Sequence, residues 1–398
     1  MVRLGAVGLG RAFNSFLPSI LSHPRVELVA VADLDVDRLE RIRVERGLKT
    51  YGTIDALCDD TDIDAIYIAT PHQLHASHAC LAASAGKHVV VEKPMALTIE
   101  DCEKMITAAA ENSVVLIVGP SHGMYGPVMD IRSKVASGEY GSLRLVCGIY
   151  YNDFLYRPRR PEELSTAEGG GVIFNQLPHH VDIVRTIEGK GVVKSVRAYA
   201  GKWDPSRPTE GSYAALLFFE SGVVGSLTYS GYAHFDSDEL LGWHGESGAV
   251  KSNEPYGLAR RQLAKANDGV TEAELKRESG YGGRLSKKFA DHQESQFQPH
   301  FGFTVASCDE ADFVTHPEGF AIYGDQERLL TRPESRPAGT GKAIALDELC
   351  DGISDPSLAL HNGIWGMRNL EVCLAVLESA KNGCEIEVQR RHNIGERN

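Results

Sequence analysis

Hydrophobic runs alternate with amphipathic segments through the first part of the chain. Segments of helical periodicity separate short apolar runs of strand length at residues 3–7, 26–32, 65–69, 88–91 and 114–119. Runs that are apolar at nearly every position are typical of strands buried on both faces, as in a parallel sheet covered by helices. The pattern predicts an α/β domain with a doubly wound parallel sheet of the Rossmann type over residues 1–120.

After Pro120 the pattern changes to successive strand-like runs with few helices between them. These runs lie at residues 143–151, 192–200, 213–220, 223–231 and 239–246, and further strand-like segments begin at Phe301. Consecutive strands without crossover helices indicate an antiparallel sheet, and a helix over 169–188 is predicted to pack on one face. We therefore expect an α+β domain with a large, mostly antiparallel open sheet over residues 121–398. A polar insertion at about 251–298 interrupts it, and a solvated excursion, a lid and an oligomer arm are all open interpretations.

The beginning of the chain carries a nucleotide-binding turn. Gly8 and Gly10 follow the first predicted strand, and Arg11 and Ala12 begin the helix after it. Such a turn exposes backbone N–H groups at a helix N-terminus, which favours binding of a pyrophosphate. Phe13 stands where a third glycine is usual, so helix and strand must pack around a bulky ring.

An acidic residue at the end of the second predicted strand specifies the cofactor further. Asp33 lies about 20 residues beyond the glycines, the position that binds the adenosine ribose hydroxyls. Asp35 adds a second carboxylate, and no arginine is adjacent in the sequence. Because two carboxylates would repel a 2′-phosphate, the pattern favours NAD over NADP.

The apolar run at 88–91 breaks into Glu92, Lys93 and a proline. The carboxyl ends of buried parallel strands are where open α/β sheets bind ligands. A lysine fixed there beside a cofactor suits binding and polarising a hydroxyl or carbonyl oxygen. Thr70 and Pro71 end the preceding predicted strand in the same way.

Four motifs together carry a resemblance to a known family: GAVGLGRAF, VAVAD, IATPHQLHASHACLAASAGKHVVVEKP and MALTIEDCEKMI. They resemble the Gfo/Idh/MocA family of glucose–fructose oxidoreductases and inositol dehydrogenases, over about the first 120 residues. The resemblance implies an NAD-dependent dehydrogenase in which Lys93 is catalytic. It also implies that the nicotinamide half of the cofactor is lined by Glu92, Thr70, Pro71 and His75. A homodimer or homotetramer formed through the open sheet face is expected as well.

The stretch GGGVIFNQLPHHVD, which begins at Gly169, is similar to a second signature of this family. Most relatives carry an Asp-x-x-x-His pair here, so the resemblance implies that His179 is catalytic and that Asn175 replaces the aspartate. Residues four apart share a helical face, so Asn175 and His179 can address one substrate together, and Asn175 is a third candidate catalytic residue that would hold the substrate hydroxyls with Lys93. Asparagine adds no charge, so we expect a neutral His179 that acts as general base while Lys93 binds the substrate oxygen. His180 is a candidate substrate-binding residue.

A proline-stiffened basic loop precedes this signature and contains Arg157, Arg159 and Arg160. Guanidinium forks suit bidentate carboxylate binding, although an exposed salt-bridge loop is an equal alternative. The segments DFLYRPRRPEEL and PHFGFTVASCDEAD are similar to the family branch of phthalate dihydrodiol (4,5-dihydroxy-4,5-dihydrophthalate) dehydrogenases. That branch oxidises carboxylated cis-dihydrodiols to catechols, which implies such a substrate and a place in aromatic catabolism. The alternatives are a sugar or inositol dehydrogenase and a non-catalytic NAD-sensing regulator.

Composition excludes other classes of protein. A formal net charge of −13 argues against a nucleic-acid surface. Eight scattered cysteines without a C-x-x-C pair are expected to be reduced thiols of a cytoplasmic protein. Because the first predicted strand starts at once, we expect no signal peptide, and no apolar run approaches membrane-spanning length. His72, His75 and His78 lie three apart without a completing carboxylate or thiolate, so no metal site is expected.

Overall fold

The computed structural model describes residues 1–252, 257–266, 271–286, 297–332 and 341–388. The chain forms two compact units. The first comprises residues 1–120, the described part of 273–293, and 342–370. The second comprises the described parts of 121–272, 294–341 and 371–398. The first boundary lies at Pro120, and two later stretches return to the first unit.

The first unit contains a six-stranded parallel sheet, as predicted. Its strands are β1 (Val2–Val7), β2 (Val26–Ala32), β3 (Lys49–Tyr51), β4 (Ala65–Ile68), β5 (His88–Val91) and β6 (Leu116–Val118). They are arranged in the order β3-β2-β1-β4-β5-β6 and all pair in parallel. This is the strand order of dinucleotide-binding folds. Every residue of β4 is buried, which explains why its sequence is apolar throughout.

Five helices of this unit follow from local sequence signals. They are α1 (Arg11–Ser22), α2 (Val36–Arg46), α3 (Ile54–Cys58), α4 (His75–Ser84) and α5 (Ile99–Glu111). Asp35, Thr53 and Thr98 cap α2, α3 and α5, because each side chain accepts a hydrogen bond from a backbone N–H of the first turn. Gly47 ends α2 in the left-handed conformation, with φ 70°.

The stretch 342–370 had been predicted to belong to the second domain, yet it packs within the first unit. It contains α11 (Ile344–Ser354) and a segment that runs beside the edge strand β6. The N–H of Val118 donates to the carbonyl of His361 at 2.8 Å, and Ile117 forms an antiparallel bridge with Asn362. An edge strand needs partners for its backbone groups, and this later segment supplies them.

The second unit contains a nine-stranded sheet. Its strands are β7 (Leu143–Tyr151), β8 (Val193–Gly201), β9 (Ser212–Phe219), β10 (Val224–Ser230), β11 (Phe303–Cys308), β12 (Ala311–His316), β13 (Gly319–Gly324), β14 (Arg328–Thr331) and β15 (Ile386–Glu387). The order is β14-β13-β12-β11-β7-β10-β9-β8-β15. The named pairs are antiparallel apart from β7 with β10, which confirms the mostly antiparallel expectation.

The prediction of a strand at 239–246 is wrong. Residues Ser237–Leu241 form a 3-10 turn, and Gly242 and Trp243 follow with φ of 64° and 61°. Left-handed backbone cannot continue an extended strand, so the apolar positions of this stretch do not enter the sheet. The strands β11 to β14 enlarge the sheet after the insertion instead.

The helices of the second unit include α6 (Gly126–Ser137), α7 (Gly171–Asn175), α8 (Leu177–Glu188) and α9 (Leu258–Ala266). Helix α10 (Glu272–Arg277) falls in the first unit from residue 273 onward, and α12 (Gly363–Asn382) falls in the first unit up to Leu370 and in the second from Glu371. The single helix predicted over 169–188 is interrupted at Gln176. Pro178 has no N–H to donate to the carbonyl of Phe174 and its ring would clash with that carbonyl, so α8 restarts beyond the break. No helix in the described residues is long and apolar enough to cross a bilayer.

We predict that Glu348→Ala lowers the free energy of unfolding by about 1–3 kcal/mol, because two buried donors lose their acceptor. The Glu348 carboxylate accepts the N–H of His361 at 2.8 Å and contacts its Nδ1 at 2.7 Å. Urea unfolding followed by circular dichroism measures the change. Asp351→Ala is the matched control on the same helix, because Asp351 forms an exposed ion pair with Arg25 and should cost about 0–1 kcal/mol. Equal losses in the two variants would contradict the prediction.

Candidate active site

The glycine turn after β1 is shaped for a phosphate group. Gly8 has φ +89°, and a Cβ there would lie 2.7 Å from the carbonyl oxygen of Ala69. Nothing lies within 4 Å of the corresponding position at Gly10, where the backbone stays open. Arg11 and Ala12 begin α1. The residue before them, Gly10, has no side chain that could accept the N–H groups of the first turn. The turn therefore leaves room and donors for a pyrophosphate, as the sequence predicts.

Asp33 follows β2 and faces the glycine turn. Its Oδ2 accepts the N–H of Leu9 at 2.5 Å and its Oδ1 accepts the N–H of Asp35 at 2.8 Å. These bonds fix the carboxylate, which has further lone pairs for ribose hydroxyls. The residues of this unit thus fit both the pyrophosphate and the adenosine ribose of NAD.

The surroundings of Asp35 differ from the sequence-based picture. No arginine is adjacent in sequence, but the carboxylate of Asp35 contacts Arg277 at 2.8 Å and Arg38 at 3.4 Å. The first arginine comes from the predicted insertion. The charge beside Asp33 is therefore more nearly balanced than two carboxylates alone would make it.

The carboxyl end of β5 is held by buried hydrogen bonds. The Tyr67 hydroxyl donates to Glu92 at 2.7 Å, and Tyr67 is fully buried. His75, also fully buried, lies between the carbonyl oxygens of Pro94 and Thr70, at 2.9 and 3.0 Å. These contacts tie His75 to the backbone at Pro94, next to Lys93, and at Thr70, after β4. Burial lowers the pKa of His75, and the charge of Lys93 lowers it further.

The turn after β4 is fixed by a second histidine. Thr70 Oγ1 lies 3.1 Å from Nδ1 of His78 in α4, and Pro71 begins the 3-10 turn that precedes this helix. The rings of His72 and His75 meet edge to face at 5.5 Å. Within the described residues, no group of three or more His, Cys, Asp or Glu side chains is arranged to hold a metal ion.

In the second unit, His179 lies in the first turn of α8 within a polar cluster. The ring is 6% exposed, and its Nδ1 lies 3.5 Å from the hydroxyl of Ser121. The His122 ring packs against it edge to face at 4.3 Å, and Nε2 of His122 lies 3.1 Å from Glu246. Phe301 covers the other side at 4.9 Å. A histidine oriented by a hydroxyl and backed by a His–carboxylate pair can serve as a proton acceptor.

Asn175 ends α7, one helix before His179. Its amide donates to the carbonyl oxygens of Gly171 and Gly169, at 2.8 and 3.2 Å. The break at Gln176 means that residues 175 and 179 do not lie on one continuous helical face, contrary to the i, i+4 argument. The amide holds the glycine-rich turn at the start of α7.

His180 points into the core of the second unit. It is 1% exposed, lies 2.8 Å from the Tyr213 hydroxyl and packs on the ring of Phe301 at 4.8 Å. Burial lowers its pKa to about 3, and the nearby His122 contributes to the shift. This neutral, buried ring packs against Phe301, which also contacts His179.

The three arginines of the basic loop occupy different environments. Arg157 donates to Asp153 at 3.1 Å; burial alone would lower its pKa, but Asp153 and Glu246 raise it above the ordinary value. Arg159 lies 3.7 Å above the ring of Phe154 and donates to its carbonyl at 2.7 Å. Arg160 forms a half-exposed pair with Glu162 at 3.0 Å. The charge of Glu246, which contacts His122 in the cluster around His179, contributes to the raised pKa of Arg157.

Sequence reasoning missed Ser121, His122 and Glu246. The first two follow Pro120 directly, at the end of the last predicted strand of the first domain, and that position could have drawn attention to them. Glu246 lies among glycines, 124 residues beyond its histidine partner. No local pattern marks it.

Comparisons with known proteins agree with the two units. Residues 2–120 match the profile of an oxidoreductase family with an NAD-binding Rossmann fold, and residues 128–251 match the GFO/IDH/MocA C-terminal domain. A 1-carboxy-3-chloro-3,4-dihydroxycyclohexa-1,5-diene dehydrogenase of Comamonas testosteroni is 41% identical over 96% of this chain and 95% of its own length. A crystal structure from Bordetella bronchiseptica RB50 superposes with TM-score 0.90 at 40% identity, covering 97% of this chain and 99% of that one.

Levoglucosan dehydrogenase, solved with NADH and levoglucosan, shares the fold, with TM-score 0.73 at 18% identity. Its structure covers 98% of this chain and all of its own.

We predict that His180→Asn makes stability less dependent on pH in acid. The folded pKa of His180 is about 3 and the ordinary value is 6.5, so the unfolded chain binds this proton first as the pH falls. Stability that depends on the neutral ring is therefore lost below the ordinary value, by about 2 kcal/mol between pH 7 and pH 5. Urea unfolding at several pH values measures the difference between variant and wild type. His234→Asn, at an exposed position, is the control. A constant difference for His180→Asn across this range would contradict the prediction.

Proposed function

Because the chain belongs to the Gfo/Idh/MocA family of NAD-dependent dehydrogenases, we propose that it oxidises a carboxylated cis-dihydrodiol to the corresponding catechol. The observation that carries this choice is the charged environment of Arg157, a partly buried arginine that donates to Asp153. The charge of Glu246, the carboxylate that contacts His122 beside His179, helps to raise the pKa of Arg157. The Comamonas testosteroni relative is named for a substrate with both a carboxyl group and vicinal hydroxyls.

Lys93 and His179 are the proposed catalytic residues, acting on one hydroxyl group. Lys93, on backbone held by Glu92 and His75, binds the hydroxyl oxygen as an ammonium donor. His179 accepts the hydroxyl proton, while Ser121 and His122 keep its ring oriented. The proposed role of Asn175 is to hold the glycine-rich turn at the start of α7.

The residues that would hold the cofactor are Gly8, Gly10, Arg11 and Ala12 at the pyrophosphate and Asp33 at the ribose, with Thr70, Pro71 and Glu92 toward the nicotinamide. NAD supplies the hydride acceptor. Loss of the proton from the hydroxyl oxygen, and of a hydride from the carbon that carries this oxygen, leaves a ketone beside the second hydroxyl. Tautomerisation of this ketone moves the remaining ring hydrogen and restores an aromatic ring, which drives the oxidation forward.

Arg157 is the residue proposed to bind the carboxylate of the substrate. A guanidinium offers two parallel donors in the geometry of a carboxylate, which an ammonium does not. Asp153 and Glu246 keep Arg157 charged in a partly buried position, with its side chain 24% exposed. Arg159 and Arg160 support this loop through Phe154, Glu162 and Glu163.

The test measures NADH formation with purified enzyme, NAD and four substrates: a carboxylated cis-dihydrodiol, an uncharged cis-dihydrodiol, an inositol and a hexose. Catechol and NADH should appear in equal amounts with the carboxylated diol. Arg157→Lys should lower kcat/KM for that substrate by about 10- to 100-fold and leave the uncharged diol less affected. Lys93→Met should lower kcat by about 10²- to 10⁴-fold.

Arg160→Ala is the matched control from the same loop and should retain full activity. Turnover only with the inositol or the hexose would replace the proposed substrate by a polyol. NAD binding without turnover of any of the four would favour a sensing regulator. An Arg157→Lys effect of equal size on both diols would separate Arg157 from carboxylate recognition.

We also propose that the enzyme is a cytoplasmic homodimer or homotetramer assembled through the open face of the nine-stranded sheet. Apolar side chains lie exposed on its central strands, including Ile149 and Leu216. Tyr199, Trp203 and Phe235 line an open depression of about 430 Å³ at its end. None of the eight cysteines, all of them within the described part of the chain, forms a disulfide, in keeping with a reducing compartment.

We predict that Leu216→Glu reduces the molar mass in solution to that of the monomer, because a charge enters an apolar interface. Size-exclusion chromatography with light scattering measures the mass. Val44→Glu, at an exposed position of α2, should leave the mass unchanged. A monomeric wild-type protein at micromolar concentration would refute the proposed assembly.

A further inference from the structure

The segment 277–286, part of the predicted insertion, packs on the glycine turn of the cofactor-binding unit. The N–H of Tyr281 donates to the carbonyl of Leu9 at 3.0 Å, and its hydroxyl donates to Glu45 at 2.6 Å. Its ring meets that of Phe13 edge to face at 6.2 Å. Phe13, the bulky residue in place of the third glycine, is fully buried. The segment therefore accommodates the one departure from the nucleotide-binding fingerprint.

The glycines around Tyr281 allow this close approach. A Cβ at Gly280 would lie 3.0 Å from both the Leu9 carbonyl oxygen and Nη2 of Arg38. Gly282 has φ +73°, and a Cβ there would lie 2.5 Å from Cδ of Arg41. The GYGG motif is thus shaped to contact the turn and α2.

The backbone of Leu9 is held by hydrogen bonds on both its N–H and its carbonyl. Its N–H donates to Asp33, the ribose-binding carboxylate, and its carbonyl accepts from Tyr281. The Asn14 amide donates to the carbonyl of Ser286 at 2.9 Å and fastens the far end of the segment. The segment therefore lies directly beside the adenosine ribose position.

This placement brings two guanidinium groups to Asp35. Nε of Arg277 donates to Asp35 at 2.9 Å, and Nη2 of Arg38 donates to the carbonyl of Arg277 at 2.9 Å. Burial raises the pKa of Asp35, but its bonds with Arg277 and Arg38 outweigh this effect and lower the value. Asp35 is therefore ionised, and its carboxylate pairs with both guanidinium groups. The backbone N–H of Asp35 donates in turn to Asp33, so this ion cluster adjoins the ribose site.

We propose that Asp35, Arg38 and Arg277 form a masked phosphate site beside the ribose 2′-hydroxyl, in which Asp35 adds to Asp33 in keeping the enzyme selective for NAD. The carboxylate of Asp35 pairs with both guanidinium groups. A 2′-phosphate would have to displace that carboxylate while leaving it unpaired nearby. Without the Asp35 carboxylate, two arginines would face the phosphate with donors suited to it, against the single remaining charge of Asp33.

The test titrates purified protein with NADH and NADPH and follows nicotinamide fluorescence, so it needs no substrate. Asp35→Asn removes the charge and keeps a side chain able to cap α2 through the N–H of Arg38. We expect NADPH affinity to rise by about 10- to 100-fold, while NADH affinity changes by less than about threefold. The gain should shrink as salt is added, because Arg277 is 60% exposed.

Asp35→Asn combined with Arg277→Gln should lose most of the gain, which would assign it to the arginine from the insertion. Asp37→Asn, an exposed acid in the first turn of the same helix, removes an equal charge and should not improve NADPH binding. An unchanged NADPH affinity in Asp35→Asn would overturn the proposal. An equal gain in Asp37→Asn, or a gain that survives Arg277→Gln, would overturn it as well.

Discussion

The cofactor-binding unit depends on how polar groups at the carboxyl ends of its buried strands find partners. A carboxylate in such a place is costly unless it accepts hydrogen bonds. Asp33 accepts two backbone N–H groups, and Glu92 accepts the hydroxyl of a buried tyrosine. These bonds make the unit stable and also aim the groups that bind the cofactor. Stability and binding geometry therefore have the same cause here.

In the second unit the same requirement separates two adjacent histidines. Consecutive helical residues point in directions about 100° apart, so His179 and His180 meet different neighbours. His180 enters an aromatic core and is kept neutral by burial, with Tyr213 as its partner. His179 meets a hydroxyl and the pair of His122 and Glu246. One helix thus contributes both to the wall of the site and to its proposed base.

Two late stretches of the chain complete the first unit. Residues 342–370 cover the edge of β6, and the segment 277–286 satisfies the carbonyl of Leu9. In both places a backbone group exposed by the N-terminal fold finds its partner more than two hundred residues later. The insertion is therefore only partly a solvated excursion, because its segment 277–286 packs against the cofactor-binding turn.

Strand burial and turn chemistry are local properties, so the two sheets, the glycine turn and the place of Asp33 after its strand could be predicted from the sequence. The sequence also contained the helix break at Pro178, which the i, i+4 argument overlooked. By contrast, the pairing of Arg277 with Asp35 across 242 residues, and of Glu246 with His122 across 124, arises only when the chain folds. Those pairings depend on how folded elements pack, and neither residue of a pair carries a local pattern that names its partner.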